Sequence, residues 1–345
     1  MAVTVTDILE TIRDNADDMY ISRVPEYTRN NLGQVGDAIT KDKNTMNTFI
    51  DGLIDKIAFS NVKSKLFKNP LARLKQTNGR PYGSTIEEIF INPSTDMGYS
   101  KDGSLLLKNT KADGKVAYYG LNRQSCYPIS LSIQDIQRGF RNEQEFMSMY
   151  EGVVNSMYSG DNIDEFALAK DVFGKALDKG AMKVIESDIA NPTELSKAIS
   201  VTSKTFAFPN TVYAGYNLVN AEKITEGEKP CITFCDTTRQ CLLIRADAQT
   251  EIDYEVLASM FHMELAKLEA MTILVDTIPS EKYDVYAILC DVDAIQIRDT
   301  VYQVEDQKVG SALMWNYWLH HWQYLYLSMF GNAVAFAKTK TSTEG

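Results

Sequence analysis

The run SALMWNYWLHHWQYLYLSMFGNAVAFA, from Ser311 to Ala337, spans 27 residues without an Asp, Glu, Lys or Arg and contains all three tryptophans of the chain. A stretch so poor in charge must be covered by other structure or by lipid. A membrane helix needs roughly 20 predominantly apolar residues, with Trp and Tyr gathered at its two ends. Here Asn316, His320, His321, Gln323 and Ser328 occupy the middle and the aromatics are spread throughout. Trp, Tyr and Phe favour strands, and a period of two puts Trp318, His320, Trp322, Tyr324 and Tyr326 on one face and Trp315, Tyr317, Leu319 and His321 on the other. The expectation is a long strand or strand pair with both faces covered.

The rest of the chain must supply that cover. Its 345 residues are 44% hydrophobic and 23% charged, the balance of a folded protein with a sizeable core. A formal charge of −11 argues against a dedicated nucleic-acid clamp, which needs a basic footprint. Five cysteines without framework spacing, no glycosylation sequon and no basic-then-apolar start point to a reducing cytoplasm.

Helical spacing is visible over residues 6–20 (Ile8, Leu9, Ile12, Ala16, Met19) and 46–57 (Met46, Phe49, Ile50, Leu53, Ile54, Ile57). Residues 21–45 between them are polar and aperiodic and read as an extended arm. From 61 to 80 there are six basic residues and no acidic one: Lys63, Lys65, Lys68, Arg73, Lys75 and Arg80. This is either a solvated basic face or a contact for an acidic partner surface. Strand-like runs at 86–91, 105–107 and 116–119, separated by Asn92-Pro93, Asp102-Gly103 and Asp113-Gly114, describe a hairpin-like projection. An isolated two-stranded ribbon recovers little of its ordering entropy, so it needs a surface to lie on.

Residues 127–133 alternate as a strand. A helix capped by Asn142 runs from about 142 to 179, with a possible kink at Gly160 and a C′ glycine at Gly180. Asn191-Pro192 opens another helix. Strands follow near 241–245, 272–275, 285–289 and 295–297, with a helix at about 253–268. Helices and strands mix without regular βαβ alternation, which makes the class α+β.

Motifs for chemistry are absent. There is no G-x-G-x-x-G, P-loop, G-x-S-x-G or H-E-x-x-H, and only three histidines, His262, His320 and His321. Cys231, Cys235 and Cys241 lack zinc-knuckle spacing and read as buried thiols. Asp291-x-Asp293 reads as turn chemistry. On a strand the adjacent His320 and His321 point to opposite faces and cannot share an ion. No catalytic residue, cofactor or metal is expected.

Two stretches carry a resemblance. LMWNYWLHHWQYLYLSMFGNAVAF (313–336) resembles the end of the major head protein of phi29-like short-tailed bacteriophages, with Gly331 where the family has Ala. NPLARLKQTNGRPYGSTIEEIF (69–90) is similar to the family's Asn-Pro-Leu and basic residues ahead of Gly-x-Thr-Ile-Glu-Glu-Ile. Weaker similarity lies at 241–261 and 287–293. The resemblance implies the HK97-like capsid fold: N-terminal arm and helices over 1–65, an extended loop over 66–125, a peripheral domain over 126–194 and 306–345 with a spine helix at about 142–179, and an axial domain over 195–305. It implies self-assembly as pentamers and hexamers into an icosahedral or prolate head in the host cytoplasm, with scaffolding and portal proteins as partners. Double-stranded DNA would be enclosed without sequence-specific binding, and no membrane would be involved. Expected inter-subunit contacts are Lys63, Lys65, Lys68, Arg73, Lys75, Arg80, Glu87, Glu88, Lys101 and Asp102. The chain stops soon after Ala337, where the family's best-known member continues into an immunoglobulin-like domain. An encapsulin-like compartment shell and an α+β enzyme are the competing readings.

Overall fold

The computed structural model describes residues 4–53, 67–76, 85–96, 98, 101, 111–188, 191–251, 272–309, 311 and 314–340. The expected strand at 105–107 and helix at 253–268 lie outside them. The principal helices are α1 (Val5–Asp14), α2 (Asp18–Arg23), α3 (Leu32–Lys41), α4 (Lys43–Asp51), α5 (Ile133–Gly139), α6 (Glu143–Val154), α7 (Gly160–Asp178) and α8 (Pro192–Phe206). The strands are β1 (Thr85–Ile91), β2 (Gly114–Gly120), β3 (Arg123–Ser132), β4 (Lys183–Glu186), β5 (Gln240–Arg245), β6 (Thr272–Val275), β7 (Tyr283–Asp291), β8 (Ile295–Val309), β9 (Met314–Leu327) and β10 (Ala333–Thr339). They form a pair β1-β2, a five-stranded sheet ordered β4-β10-β7-β5-β6 and a three-stranded sheet ordered β3-β9-β8. The chain divides into two compact units, 1–69 with 123–165 and 299–322, and 70–122 with 166–298 and 323–345.

In the first unit, α1 to α4 surround a core with α5, α6 and the aromatic strand. Ile8, Ile12, Ile39, Phe49, Phe146, Met157, Trp315, Tyr317 and Leu319 are fully or almost fully buried in it. Phe140 stands 5.3 Å from Phe49 and 5.4 Å from Phe146, ring centre to ring centre. The Trp315 indole N–H donates to Asn47 Oδ1 at 2.8 Å. Three helix starts are fixed locally: Thr4 and Asp7 make a capping box on α1, Asp17 Oδ1 accepts from Tyr20 N at 2.8 Å, and Ser132 with Asp135 caps α5.

Two expectations are corrected here. Residues 21–45 are not an extended arm, because α2, α3 and the start of α4 occupy them. Leu32, Val35 and Ile39 supply a sparse helical stripe that is buried, and a Cβ on Gly36 would lie 2.4 Å from Phe140 Cβ, so close packing requires the glycine whose presence weakens the local helix signal. The helix expected over 6–20 is broken at Asn15, where Asp17 starts a new one, and Met19 is exposed.

The helical period expected over 142–179 appears as α6 and α7 joined by a π turn at Asn155–Ser159. Asn142 Oδ1 accepts from Glu145 N at 2.8 Å. The C-terminus closes on Gly180 at φ +72°, with Gly180 N–H bonded to Leu177 O and Ala181 N–H to Ala176 O, both at 2.9 Å.

In the second unit the five-stranded sheet is covered on both faces. Ala333, Ala335 and Ala337 of β10 point to a core shared with Ala169, Phe173 and Leu177 of α7, while Val334 and Phe336 meet Leu195, Ile199 and Phe206 of α8. The alternation of small and large residues in Ala-Val-Ala-Phe-Ala is thus the alternation of two cores. Cys241 and Cys290 are register partners on β5 and β7, and all five cysteines are free thiols, only Cys126 being exposed. Asp291 accepts from Asp293 N–H at 3.0 Å and opens the turn Val292–Ala294.

The aromatic run folds as β9 and β10. At Gln323, Tyr324 and Leu325 β9 is buried on both faces, as expected; nearer its start Trp315, Tyr317, Leu319 and His321 are buried on one face, while on the other Trp318 and His320 are half-buried and Trp322 is 36% exposed. No described helix is long and apolar enough to cross a membrane.

Candidate assembly surfaces

The antiparallel pair β1-β2 has two faces of opposite character. Its register sets Glu87 opposite Tyr118, Ile89 opposite Val116 and Ile91 opposite Gly114, so Glu87, Ile89, Ile91, Val116 and Tyr118 share one face. Ile86, Glu88, Phe90, Lys115, Ala117 and Tyr119 share the other.

The second face is docked on the body of its own unit. Tyr119 stacks on Tyr326 at 3.8 Å, Phe90 stacks on Phe330 at 5.3 Å, and Tyr119 Oη accepts from Met329 N–H at 2.9 Å. Glu88 accepts from Ser328 Oγ at 2.7 Å. At the far end Lys115, nearly buried, reaches Glu228 at 2.7 Å and Asp113 at 3.4 Å, and Glu228 also accepts from Tyr216 Oη at 2.8 Å. Asn92 donates to Asp113 and to Pro230 O, and accepts from Ile232 N–H at 2.9 Å. These bonds hold the Asp113 and Glu228 carboxyls below their ordinary range: the Asn92 hydrogen bond is the main cause at Asp113, the Lys115 hydrogen bond at Glu228. Burial raises the Tyr119 hydroxyl well above that of a free phenol.

The first face is open. Ile89 is 62% exposed, Ile91 61%, Val116 42% and Tyr118 67%. Monomeric proteins tolerate single exposed apolar residues, but four on one ribbon face form a contiguous patch. Val201, Phe208 and Phe234 of the same unit are also strongly exposed.

The expected contact residues distribute unevenly. Lys63, Lys65, Arg80 and Asp102 lie outside the described residues. Lys68, Arg73 and Lys101 are exposed, and Lys75 is half-buried, its backbone bridged to Ile297. Glu87 lies on the open face, where Tyr118 Oη donates to it at 3.2 Å. Glu88 faces inward onto Ser328 and so leaves the outward set, a consequence of strand alternation. Residue choice by charge missed the apolar patch, although the period of two in Glu87, Ile89 and Ile91 marks it.

Among the described residues the one cluster with metal-ligand types is Glu165, Asp299 and His321. The Arg123 guanidinium stands 3.7 Å from Glu165, and His321 Nε2 stands 3.1 Å from Asp299, so these groups are already engaged as ion pairs. They belong to a buried charge cluster rather than to an open coordination site.

A mixed α+β scaffold with a long interrupted helix and a ribbon held by one face, its other face apolar and open, has the parts that the expected HK97-like capsid fold implies. The model of the phi29-like phage major capsid proteins matches residues 9–337, and the chain belongs to that family. The major capsid protein of Bacillus phage B103 is 29% identical over 96% of this chain and 72% of its own length. That of Streptococcus phage Cp-1 is 24% identical over 94% and 92% respectively. The solved capsid structure of Staphylococcus phage Andhra superposes with a TM-score of 0.63 at 13% identity, covering 80% of this chain and 85% of that one. A chain from the head fiber and inner core structure of bacteriophage P68 gives 0.54 at 12% identity, covering 76% and 82%. The role is therefore that of a bacteriophage major capsid protein, a structural component of the virion that assembles into the capsid. The family match favours this over the encapsulin-like shell and the α+β enzyme.

Proposed function

We propose that the chain forms pentamers and hexamers that close into an icosahedral or prolate phage head, assembled in the host cytoplasm without catalysis. The observation that carries this reading is the open face Ile89, Ile91, Val116 and Tyr118 on a ribbon whose other face is pinned. A pinned ribbon pays little further ordering entropy when a second copy covers its apolar side, and the small gain per contact multiplies over a closed shell. Lys68 and Arg73, each exposed on its own unit, add basic charge for acidic surface on a neighbour, in a chain of net charge −11. The same acidity supports enclosing double-stranded DNA without gripping it, with a scaffolding protein and a portal as partners.

The paired variant Ile89→Asp/Tyr118→Asp tests this in the chain co-expressed with its neighbouring genes. Circular dichroism and melting of the unassembled chain should match wild type, while sedimentation and negative-stain imaging find no closed shells. Shells at the wild-type yield would refute the reading. The charge reversal Lys68→Glu/Arg73→Glu should lower the yield and flatten its dependence on salt.

A further inference from the structure

Inside the first unit, every strand of the three-stranded sheet sends one side chain to the first two turns of α7. Arg123 comes from β3, His321 from β9 and Asp299 from β8, and they meet Asp161 and Glu165, which are one helical turn apart. Arg123 Nη2 lies 2.7 Å from Asp161 Oδ1, donates to the Asp161 carbonyl at 3.1 Å and donates to Tyr127 Oη at 2.9 Å. Tyr127 in turn donates to Asp164 at 2.8 Å, and Asn69 donates to Glu165 at 2.8 Å. Arg123, Asp161, Glu165 and His321 are all buried.

The geometry at His321 is informative because both ring nitrogens face carboxylates. Nδ1 lies 2.6 Å from Asp161 Oδ1, and Nε2 lies 3.1 Å from Asp299 Oδ1 and 4.0 Å from Glu165 Oε2. A neutral imidazole has one N–H, so one of these contacts would set a bare nitrogen lone pair against a carboxylate oxygen. Only imidazolium donates to both. The charge inventory agrees. Three carboxylates, Asp161, Glu165 and Asp299, face one fixed cation, Arg123; its Nη1, which can only donate, stands 3.3 Å from Nδ1 and competes there with the shorter 2.6 Å contact to Asp161, while the Tyr302 ring packs edge-on at 4.5 Å. With His321 neutral the buried group carries two net negative charges, and with His321 protonated it carries one.

We propose that this cluster is a proton-dependent clamp: imidazolium at position 321 fastens the start of α7, just after the π turn, to the three-stranded sheet, and loss of that proton as pH rises releases it. Burial opposes the charge on His321, but the hydrogen bonds it donates to Asp161 and Asp299 outweigh it and raise its pKa above the ordinary value. A raised folded-state value means the stabilisation is complete below the ordinary histidine pKa of about 6.5 and is lost as pH climbs through the folded value. The π turn offers a break at which the released helix start can rearrange.

The test uses the unassembled full chain. An NMR titration of the histidine Cε1 resonances, assigned with His320→Gln and His321→Gln, should place His321 above 6.5. Amide exchange protection over residues 156–165 should fall by about tenfold per pH unit between 6.5 and the folded-state value, the slope for one proton, and level off above it. In His321→Gln the melting temperature should be lower than wild type at pH 6 and lose the wild-type decline between pH 6 and 9, whereas His320→Gln keeps it. A His321 that titrates at or below 6.5, or a pH slope that survives in His321→Gln, overturns the clamp. The titration and exchange on wild type decide the matter even if the variant fails to fold.

Discussion

Two stretches of this chain read in sequence as limbs, an arm over residues 21–45 and a hairpin-like projection after residue 85, yet they fold to opposite ends. Residues 21–45 become helices that bury Val24, Leu32, Val35 and Ile39 in the core of the first unit and leave Ile21 exposed. Residues 85–91 and 114–120 become a ribbon that buries one face and leaves the other, Ile89, Ile91, Val116 and Tyr118, open. A low apolar content therefore does not mark a segment as a projecting limb. What separates the two is whether the apolar face as a whole finds cover within the chain. The ribbon face that does not is the one proposed to receive another copy.

The largest expected effect breaks the internal side. Phe49→Ala removes a fully buried ring from its contact with Phe140 and should cost about 3–5 kcal/mol in urea unfolding, enough to abolish folding in a marginal background. Ile39→Ala on α3 should cost about 2–5 kcal/mol in the same assay, and a value near zero would return residues 21–45 to the status of an arm. On the ribbon, Lys115→Met leaves Glu228 and Asp113 without their cation. It should lower exchange protection over residues 114–120 by about tenfold while the global midpoint barely moves. The same contact has a pH signature. Asp113 and Glu228 have depressed folded values, so their contribution is present above the ordinary carboxylate range and disappears as pH falls through those values. Wild-type protection over 114–120 should drop below pH 4, and Lys115→Met should flatten that drop. The smallest effect is Asp17→Ala, which removes the cap of α2 and should cost about 1 kcal/mol by urea unfolding.

Much of the framework was legible because it is written in local chemistry. Asn142, Gly180 and Pro192 marked helix ends that the structure has, and the alternation in Trp315, Tyr317, Leu319 and His321 marked the buried face of β9. Local signals failed where tertiary burial decided the outcome. Gly33 and Gly36 weaken the helical reading of α3, and only the approach of Phe140 explains why Gly36 is there. The partial exposure of β9 at Trp322 was unreadable because no sequence pattern tells how far along a strand a second layer extends. Selecting contact residues by charge retained Glu88, which the pleat turns inward, and passed over Ile89, which it turns outward. The cluster around His321 draws on five residues spread from position 123 to 321, and no spacing within the chain announces it.

The central claim is that the outward ribbon face is covered only when copies assemble. Hydroxyl-radical footprinting of Ile89, Ile91 and Tyr118, compared between unassembled chain and closed shells, measures that cover directly. Labelling at these positions should fall severalfold on assembly while exposed positions outside the proposed contacts, such as Met19 and Ile163, are read alongside as controls. Equal labelling in the two states would contradict the account.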